Sequence, residues 1–281
     1  MKIMKRILAL TLAVLLLCAM CACGSKKADS AAGQSASQSD LDYVKANKKL
    51  IIGYTVYEPM NYTDEKGEFT GFDTELAKAV CAKLGVEPEF IIINWDTKEV
   101  ALEAKDIDCI WNGLTLNAER EANMACTVPY VKNAQVVVMK AGADYKDTSS
   151  LIGKTVCAEI GSAGEILIKG DNSDPEDVVE PEPNLAQCEY VGKSVQTDCL
   201  MEVKSGTADA AVLDLTLANS MTGEGTNYSD LAIVDHLAEE AYGVAFRKGS
   251  DARDAVNEIF AAMVKDGSMQ QLADKYGLDL A

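Results

Sequence analysis

The chain has 281 residues, 48% of them hydrophobic, with 26 Lys and Arg against 44 Asp and Glu, a formal net charge of −18 and a single histidine. So acidic a body is repelled by phosphate backbones, which argues against a nucleic-acid partner. One histidine leaves little room for Ser–His or Cys–His catalysis or for a histidine-based metal site, and no metal or cofactor is expected. Lys2, Lys5 and Arg6 precede an uncharged, mostly apolar run over residues 7–22. A basic head, a short apolar stretch and small residues at its end read as a secretory signal, shorter than the roughly 18–20 residues of a helical membrane span. Ala22-Cys23-Gly24 has the form of a bacterial lipobox, in which the cysteine is diacylated and becomes the new N-terminus. Residues 1–22 are therefore expected to be a lipoprotein signal peptide and Cys23 the lipidation site. Residues 23–47, rich in Ser, Ala, Gly, Gln and Lys, are expected to be a flexible tether.

From residue 48 onward strand and helix signals alternate, the pattern of βαβ units and a largely parallel sheet. An apolar strand over 50–54 leads to a helix that Asp73 can cap and Gly85 can stop, with Leu76, Val80, Cys81 and Leu84 on one face. Strands follow at 90–93 and 108–111, separated by a helix around 98–104. The segment 114–120 leaves a strand and opens a short helix. A long strand at 136–141 then precedes a second set: strand 155–158, a helix opened by Ser162-Ala163-Gly164, strand 188–191, helix 194–204 and strand 210–213. Residues 171–183, acidic and proline-containing, read as a surface excursion. One more strand at 241–247 and two helices, 251–265 and 268–276, complete the pattern. Residues 100–111 and 200–213 both read helix, Lys, turn, Asp, strand, so each half carries a similar unit, which suggests two α/β lobes with a cleft between them. Ligands of open parallel sheets bind beyond the carboxyl ends of strands, which points to residues 112–115 in one half and Asp214 in the other.

Of nine cysteines, Cys18, Cys21 and Cys23 fall in the signal region. Cys81, Cys109, Cys126, Cys157, Cys188 and Cys199 mostly sit in apolar patterns, where Cys acts as a small hydrophobe; a Cys188–Cys199 disulfide stays open. No G-x-S-x-G elbow, H-E-x-x-H pair or phosphate loop occurs.

Four stretches in order, Tyr57-Glu58-Pro59-Met60-Asn61-Tyr62, Gly71-Phe72-Asp73, Asp108 through Arg120, and Tyr242 through Ser250, together resemble the extracellular solute-binding proteins of polar amino-acid ABC transporters, bacterial solute-binding protein family 3. The resemblance implies a two-lobed type II periplasmic-binding-protein fold, two mainly parallel sheets joined by two hinge strands. Lobe 1 would comprise 48–137 plus 239–281 and lobe 2 138–238. It also implies capture of a free amino acid in the cleft and delivery to an ABC transporter permease, rather than catalysis. Together with the lipobox it implies a place on the outer face of the bacterial cytoplasmic membrane, held there through lipid alone.

The residues fit that chemistry. A zwitterion needs a cation for its carboxylate and an anion for its ammonium. Arg120 offers a planar fork for a carboxylate, although it could instead pair with Glu119 or Glu121 on a helix surface. Thr115 can donate its hydroxyl and backbone N–H to the same carboxylate, the Gly113 carbonyl can take the ammonium, and Asn112 heads the same turn. The resemblance puts an ammonium-binding carboxylate at Asp214, whose other reading is a helix cap. It puts a ligand-facing backbone N–H at Ala163, side-chain-stacking aromatics at Tyr57 and Trp95, and a side-chain contact at Glu159, which could equally be a solvated rim acid. Trp111 reads as core. Two other classes stay open: a cyclohexadienyl or arogenate dehydratase-like enzyme on the same fold, with Glu159 as its acid, and a ligand-sensing domain.

Overall fold

The structure, a computed structural model, describes residues 39–173 and 178–281; the signal, Cys23 and most of the expected tether lie outside them. Helix α1 (Asp40–Asn47) leads to strand β1 (Lys49–Tyr54), the small hairpin β2 (Tyr62–Thr63) and β3 (Phe69–Thr70), helix α2 (Phe72–Leu84), β4 (Glu87–Ile92), α3 (Lys98–Glu103), β5 (Cys109–Thr115), α4 (Ala118–Asn123), β6 (Ala125–Cys126) and β7 (Val131–Lys140). Then come β8 (Thr155–Glu159), α5 (Ala163–Lys169), β9 (Glu189–Lys193), α6 (Gln196–Ser205), β10 (Ala210–Asp214), α7 (Leu215–Met221), β11 (Leu231–Phe246), α8 (Ala252–Asp266) and α9 (Ser268–Tyr276).

The strands hydrogen-bond in the order β4-β1-β5-β11-β7-β10-β8-β9, with β6 beside β11. Strands β4, β1 and β5 pair in parallel, as do β10, β8 and β9. Between these wings β7 and β11 run antiparallel to each other and to their outer neighbours β5 and β10. The two mainly parallel sheets that the resemblance implied are present as the wings of one continuous ladder, joined through two long strands. Residues 137 and 238, the expected lobe limits, lie inside those strands.

Local chemistry explains most boundaries. Helix α2 buries Phe72, Leu76, Ala77, Val80 and Cys81 on one stripe and stops at Gly85 in the left-handed conformation. Its N-cap, however, is Gly71 with no side-chain cap, and Asp73 is fully buried instead of capping. Trp111 is core, packed edge-on against Phe260 with ring centroids 5.8 Å apart. The six described cysteines are free thiols, so Cys188 and Cys199 are not bridged; the Cys157 thiol instead donates to the Cys199 carbonyl at 3.5 Å.

Two further expectations need correction. The tether expected through residue 47 ends earlier, because residues 40–47 form α1, capped by the Ser39 hydroxyl. Asp40 is drawn in by Arg247, whose Nε donates to it at 3.0 Å while Nη2 reaches Asp108 at 3.1 Å and Nη1 reaches the Ile107 carbonyl at 2.7 Å. Strand β11 begins at Leu231, ten residues before the expected start at 241. Its first half is half-exposed, acidic and broken by register shifts near Val234 and Leu237, so neither clean alternation nor a continuous apolar run announces it.

Arg247 is buried with two acidic partners, and removing one member of such a pair strands the other charges. Arg247→Ala should lower unfolding stability by about 3–5 kcal/mol in urea titration; a change below about 1 kcal/mol would show that the cluster contributes little.

Candidate functional site

The register of the central strands assembles a polar cluster. Asp214 at the end of β10 lies opposite Gln135 of β7, Glu240 of β11 lies opposite Asn133 of β7, and Tyr242 of β11 lies opposite Thr115 of β5. The Asp214 Oδ1 accepts from Asn133 Nδ2 at 3.0 Å and from Gln135 Nε2; its Oδ2 accepts from Gln196 Nε2. The Asp214 N–H in turn donates to Gln196 Oε1 at 3.0 Å. Although Asp214 occupies the N-cap position of α7, it makes no side-chain cap bond. Glu240 accepts from Thr115 Oγ1 at 3.0 Å, Gln135 Nε2 at 2.9 Å and Asn133 Nδ2. Burial pushes the carboxyl of Asp214 up, and burial with the neighbouring Asp214 charge pushes that of Glu240 up to about 8.

Arg120 is buried on α4 rather than paired on its surface: Nη1 donates to the Thr115 carbonyl at 2.7 Å and Nη2 to the Gly161 carbonyl at 3.1 Å. Among the described residues, no ion pair includes Arg120 or Asp214. The Gly161 carbonyl also accepts from Lys98 Nζ at 3.0 Å, so two cations of the first wing meet one carbonyl of the second. Gly161 has φ +75°, and a Cβ there would lie 3.1 Å from the Asp96 Cα. A left-handed glycine therefore allows the close approach.

Gly113 bends the strand end with φ +59°, and its N–H donates to Asp73 Oδ2 at 2.7 Å. Asp73 also accepts from the Tyr130 hydroxyl at 2.8 Å, and its burial pushes the carboxyl up to about 7. A Cβ on Gly113 would sit 2.7 Å from Cε1 of Tyr57, whose hydroxyl meets that of Tyr242 at 2.5 Å. The Asn112 amide is already engaged, its Oδ1 by the Thr55 N–H and hydroxyl and its Nδ2 by the Thr55 carbonyl and Asn61. It fastens the end of β1 to that of β5.

All nine residues expected at the site, Tyr57, Trp95, Asn112, Gly113, Thr115, Arg120, Glu159, Ala163 and Asp214, line one cavity, together with Thr55, Val56, Ser162 and Gln196. The free space among them is about 10 Å³, room for roughly one water. Glu159 faces inward rather than to the rim: it is 3% exposed and its Oε1 has no hydrogen-bond partner. Burial and the nearby Asp214 push its carboxyl up to about 8, opposed by Lys98, Gln196 and Arg120. Lys98 stands over the Trp95 ring at 5.0 Å, its ammonium brought down to about 8 by burial and by Arg120.

Sequence reasoning missed Lys98, Gln196, Glu240 and the amide pair Asn133 and Gln135. A signal existed for the last two: polar residues two apart in an otherwise apolar strand share one face. Glu240 and Tyr242 carry the same two-residue spacing on β11. Lys98 and Gln196 carry none, because each is the first residue of an ordinary helix.

Residues 50–279 match the bacterial extracellular solute-binding proteins, family 3. The arginine-binding extracellular protein ArtP of Bacillus subtilis is 30% identical over 275 residues, covering 97% of this chain and 98% of that protein. The L-cystine-binding protein TcyJ of Escherichia coli K12 is 28% identical over 85% of this chain and 87% of that one. Among solved structures, Tv2483 bound to L-arginine superposes with a TM-score of 0.76 at 25% identity, covering 86% of this chain and 96% of that chain.

Burial raises Asp73 to about 7 and Glu159 and Glu240 to about 8, above the values near 4 of unfolded carboxyls. Between about pH 4 and 8 the folded chain therefore holds more protons than the unfolded one, and stability falls as pH rises, by up to about 1.4 kcal/mol per pH unit for each group. The urea midpoint of the chain alone should be higher at pH 5.5 than at pH 8, and Glu159→Gln should shrink the difference. A wild-type midpoint that rises over this interval would contradict the buried placement of Asp73 and Glu159.

Proposed function

Because the chain belongs to the bacterial extracellular solute-binding proteins, family 3, we propose that its cleft captures a free amino acid, preferring one with a cationic side chain, and delivers it to an ABC transporter permease. The observation that carries this reading is a buried guanidinium and a buried carboxylate, Arg120 and Asp214, lining one cavity without an ion pair. Buried charges are costly unless complemented, and a zwitterion complements both. Arg120, with Thr115 and the Ala163 backbone, takes the ligand's carboxylate; Asp214 and the Gly113 carbonyl take its ammonium.

Glu159, with one oxygen unpartnered, faces the ligand side chain between Tyr57 and Trp95 and favours a cation there. So small a cavity admits an amino acid only when the lobes part, breaking the Arg120 and Lys98 bonds to Gly161. The ligand carboxylate then replaces the carbonyl as a partner of Arg120 on closure. The family is extracellular, and among the described residues no helix is long and apolar enough to cross a membrane. In this reading attachment comes from lipid on Cys23.

Calorimetry with arginine, glutamine and glutamate tests the site. Arg120→Ala should weaken the tightest ligand by about 2–5 kcal/mol, the scale for truncating one partner of a desolvated charge pair. Asp214→Asn should weaken amino acids while sparing carboxylic acids that lack an α-ammonium. Wild type should prefer arginine to glutamate, and Glu159→Gln should narrow the gap; tight glutamate binding by the wild type would refute the selectivity. Turnover of prephenate or arogenate would move the protein to the enzyme class, for which the protonated Glu159 is the candidate acid. Fatty-acid labelling in cells should disappear in Cys23→Ala with release of the protein, and persistent labelling would remove the lipid anchor.

A further inference from the structure

Asp214 Oδ1 and Glu240 Oε1 accept hydrogen bonds from the same two amides, Asn133 Nδ2 and Gln135 Nε2. The remaining partner of Glu240 is the Thr115 hydroxyl at 3.0 Å. Gln196 Nε2 is a further donor to Asp214, and all four donors are neutral. Two full negative charges held by the same neutral amides, one on buried Asp214 and one on half-buried Glu240, repel each other, and the favourable state keeps one proton between them. Glu240 sits on β11, one of the two strands that link the wings, whereas Asp214 ends a strand of the second wing.

We propose that Glu240 and Asp214 form one proton-sharing pair, and that an amino acid whose ammonium docks at Asp214 expels the shared proton, so that ligand capture is linked to proton release. The inference rests on the amino-acid-binding reading above. No covalent bond to the ligand forms. The carboxylic O–H breaks, its proton passes to solvent buffer, and the ligand's positive charge at Asp214 offsets the negative charge that the proton had neutralised. Glu240 is a positioning residue in this scheme: it does not line the cavity but shares the donors of the carboxylate that does.

Other charged and titratable groups surround the pair. Arg120 reaches in from α4 with a charge that favours ionisation of both acids. Glu159 at the end of β8 opposes ionisation of Asp214, and the Tyr57 and Tyr242 hydroxyls stay neutral, held well above their ordinary range by burial. Lys132, His236 and Glu239 line a separate groove with Glu240. The carboxyl of Glu240 pushed up to about 8 is consistent with one proton held at neutral pH.

The test is calorimetry on the full mature protein, titrated with each of the twenty standard L-amino acids, the tightest binder being carried forward. At pH 7, in phosphate, HEPES and Tris, whose ionisation enthalpies differ, the wild-type heat should vary with buffer as release of close to one proton demands. Its Kd should weaken towards tenfold for each pH unit lowered from 8 to 6. Glu240→Gln should reduce the proton count by close to one and flatten the Kd profile. Glu159→Gln should leave that decrement in place, which separates this proton from any that Glu159 loses to a cationic side chain. Tight binding with buffer-independent heat, a wild-type Kd flat from pH 6 to 8, or an unchanged count in Glu240→Gln would overturn the pair while leaving amino-acid binding intact. Should Glu240→Gln fail to fold, the proton count and Kd profile of Glu159→Gln decide: release of close to one proton there upholds the pair, and buffer-independent heat with a flat Kd overturns it. Binding of none of the twenty would overturn both readings.

Discussion

The antiparallel register between β7 and β11 is the constraint on which the rest of the molecule depends. It sets Glu240 opposite Asn133 and, through the neighbouring pairs, Asp214 opposite Gln135 and Tyr242 opposite Thr115. Side chains alternate faces along a strand, so slipping either strand by one residue would turn its polar groups to the opposite face. The same two strands are the direct sheet connection between the parallel wings. The element that positions the carboxylates is thus also the one that must flex when the wings move, and its register shifts near Val234 and Leu237 put irregularity into that connection.

Around this ladder the site is built by withholding partners. Arg120 spends its donors on two backbone carbonyls, Asp214 is held by neutral amides, and Glu159 keeps an oxygen unpaired. Each choice costs stability in the chain alone. In the proposed binding mode each is offset when a ligand of matching charge arrives, and a charge that is already desolvated loses little further hydration on binding. Raised carboxyl pKa values and affinity for a zwitterion are therefore two readouts of one electrostatic arrangement.

The supports behind the cavity are equally specific. Asp73 accepts the Gly113 N–H, which anchors the residue whose carbonyl faces an ammonium in the proposed mode. Asn112 spends its amide on Thr55 and Asn61 and locks the ends of two strands together. Gly161 lets the wings approach, and Arg120 and Lys98 both reach its carbonyl. Asp73, Asn112 and Gly161 need not touch a ligand through their side chains to govern where the ligand's charges can sit.

Alternating strand and helix patterns, the repeated helix-to-strand unit and the order of four motifs were sufficient to read two α/β halves and nine of the thirteen residues that line the cavity. These features are local: a periodic apolar stripe or a glycine turn is encoded where it occurs. The cap assigned to Asp73, the tether carried through residue 47 and the late start of β11 went astray because partners remote in sequence decided them. Gly113 and Tyr130 draw Asp73 inward, Arg247 recruits Asp40 into a helix, and β7 stabilises a half-exposed acidic strand by pairing with it. Glu240, Lys98 and Gln196 escaped notice for the same reason. Residue types and periodicity specify which segments form elements and which side chains leave their ends. Which of those side chains meet, and which charges remain without partners, depends on strand register and wing contact between residues tens to more than a hundred positions apart, and is settled only when the chain is folded.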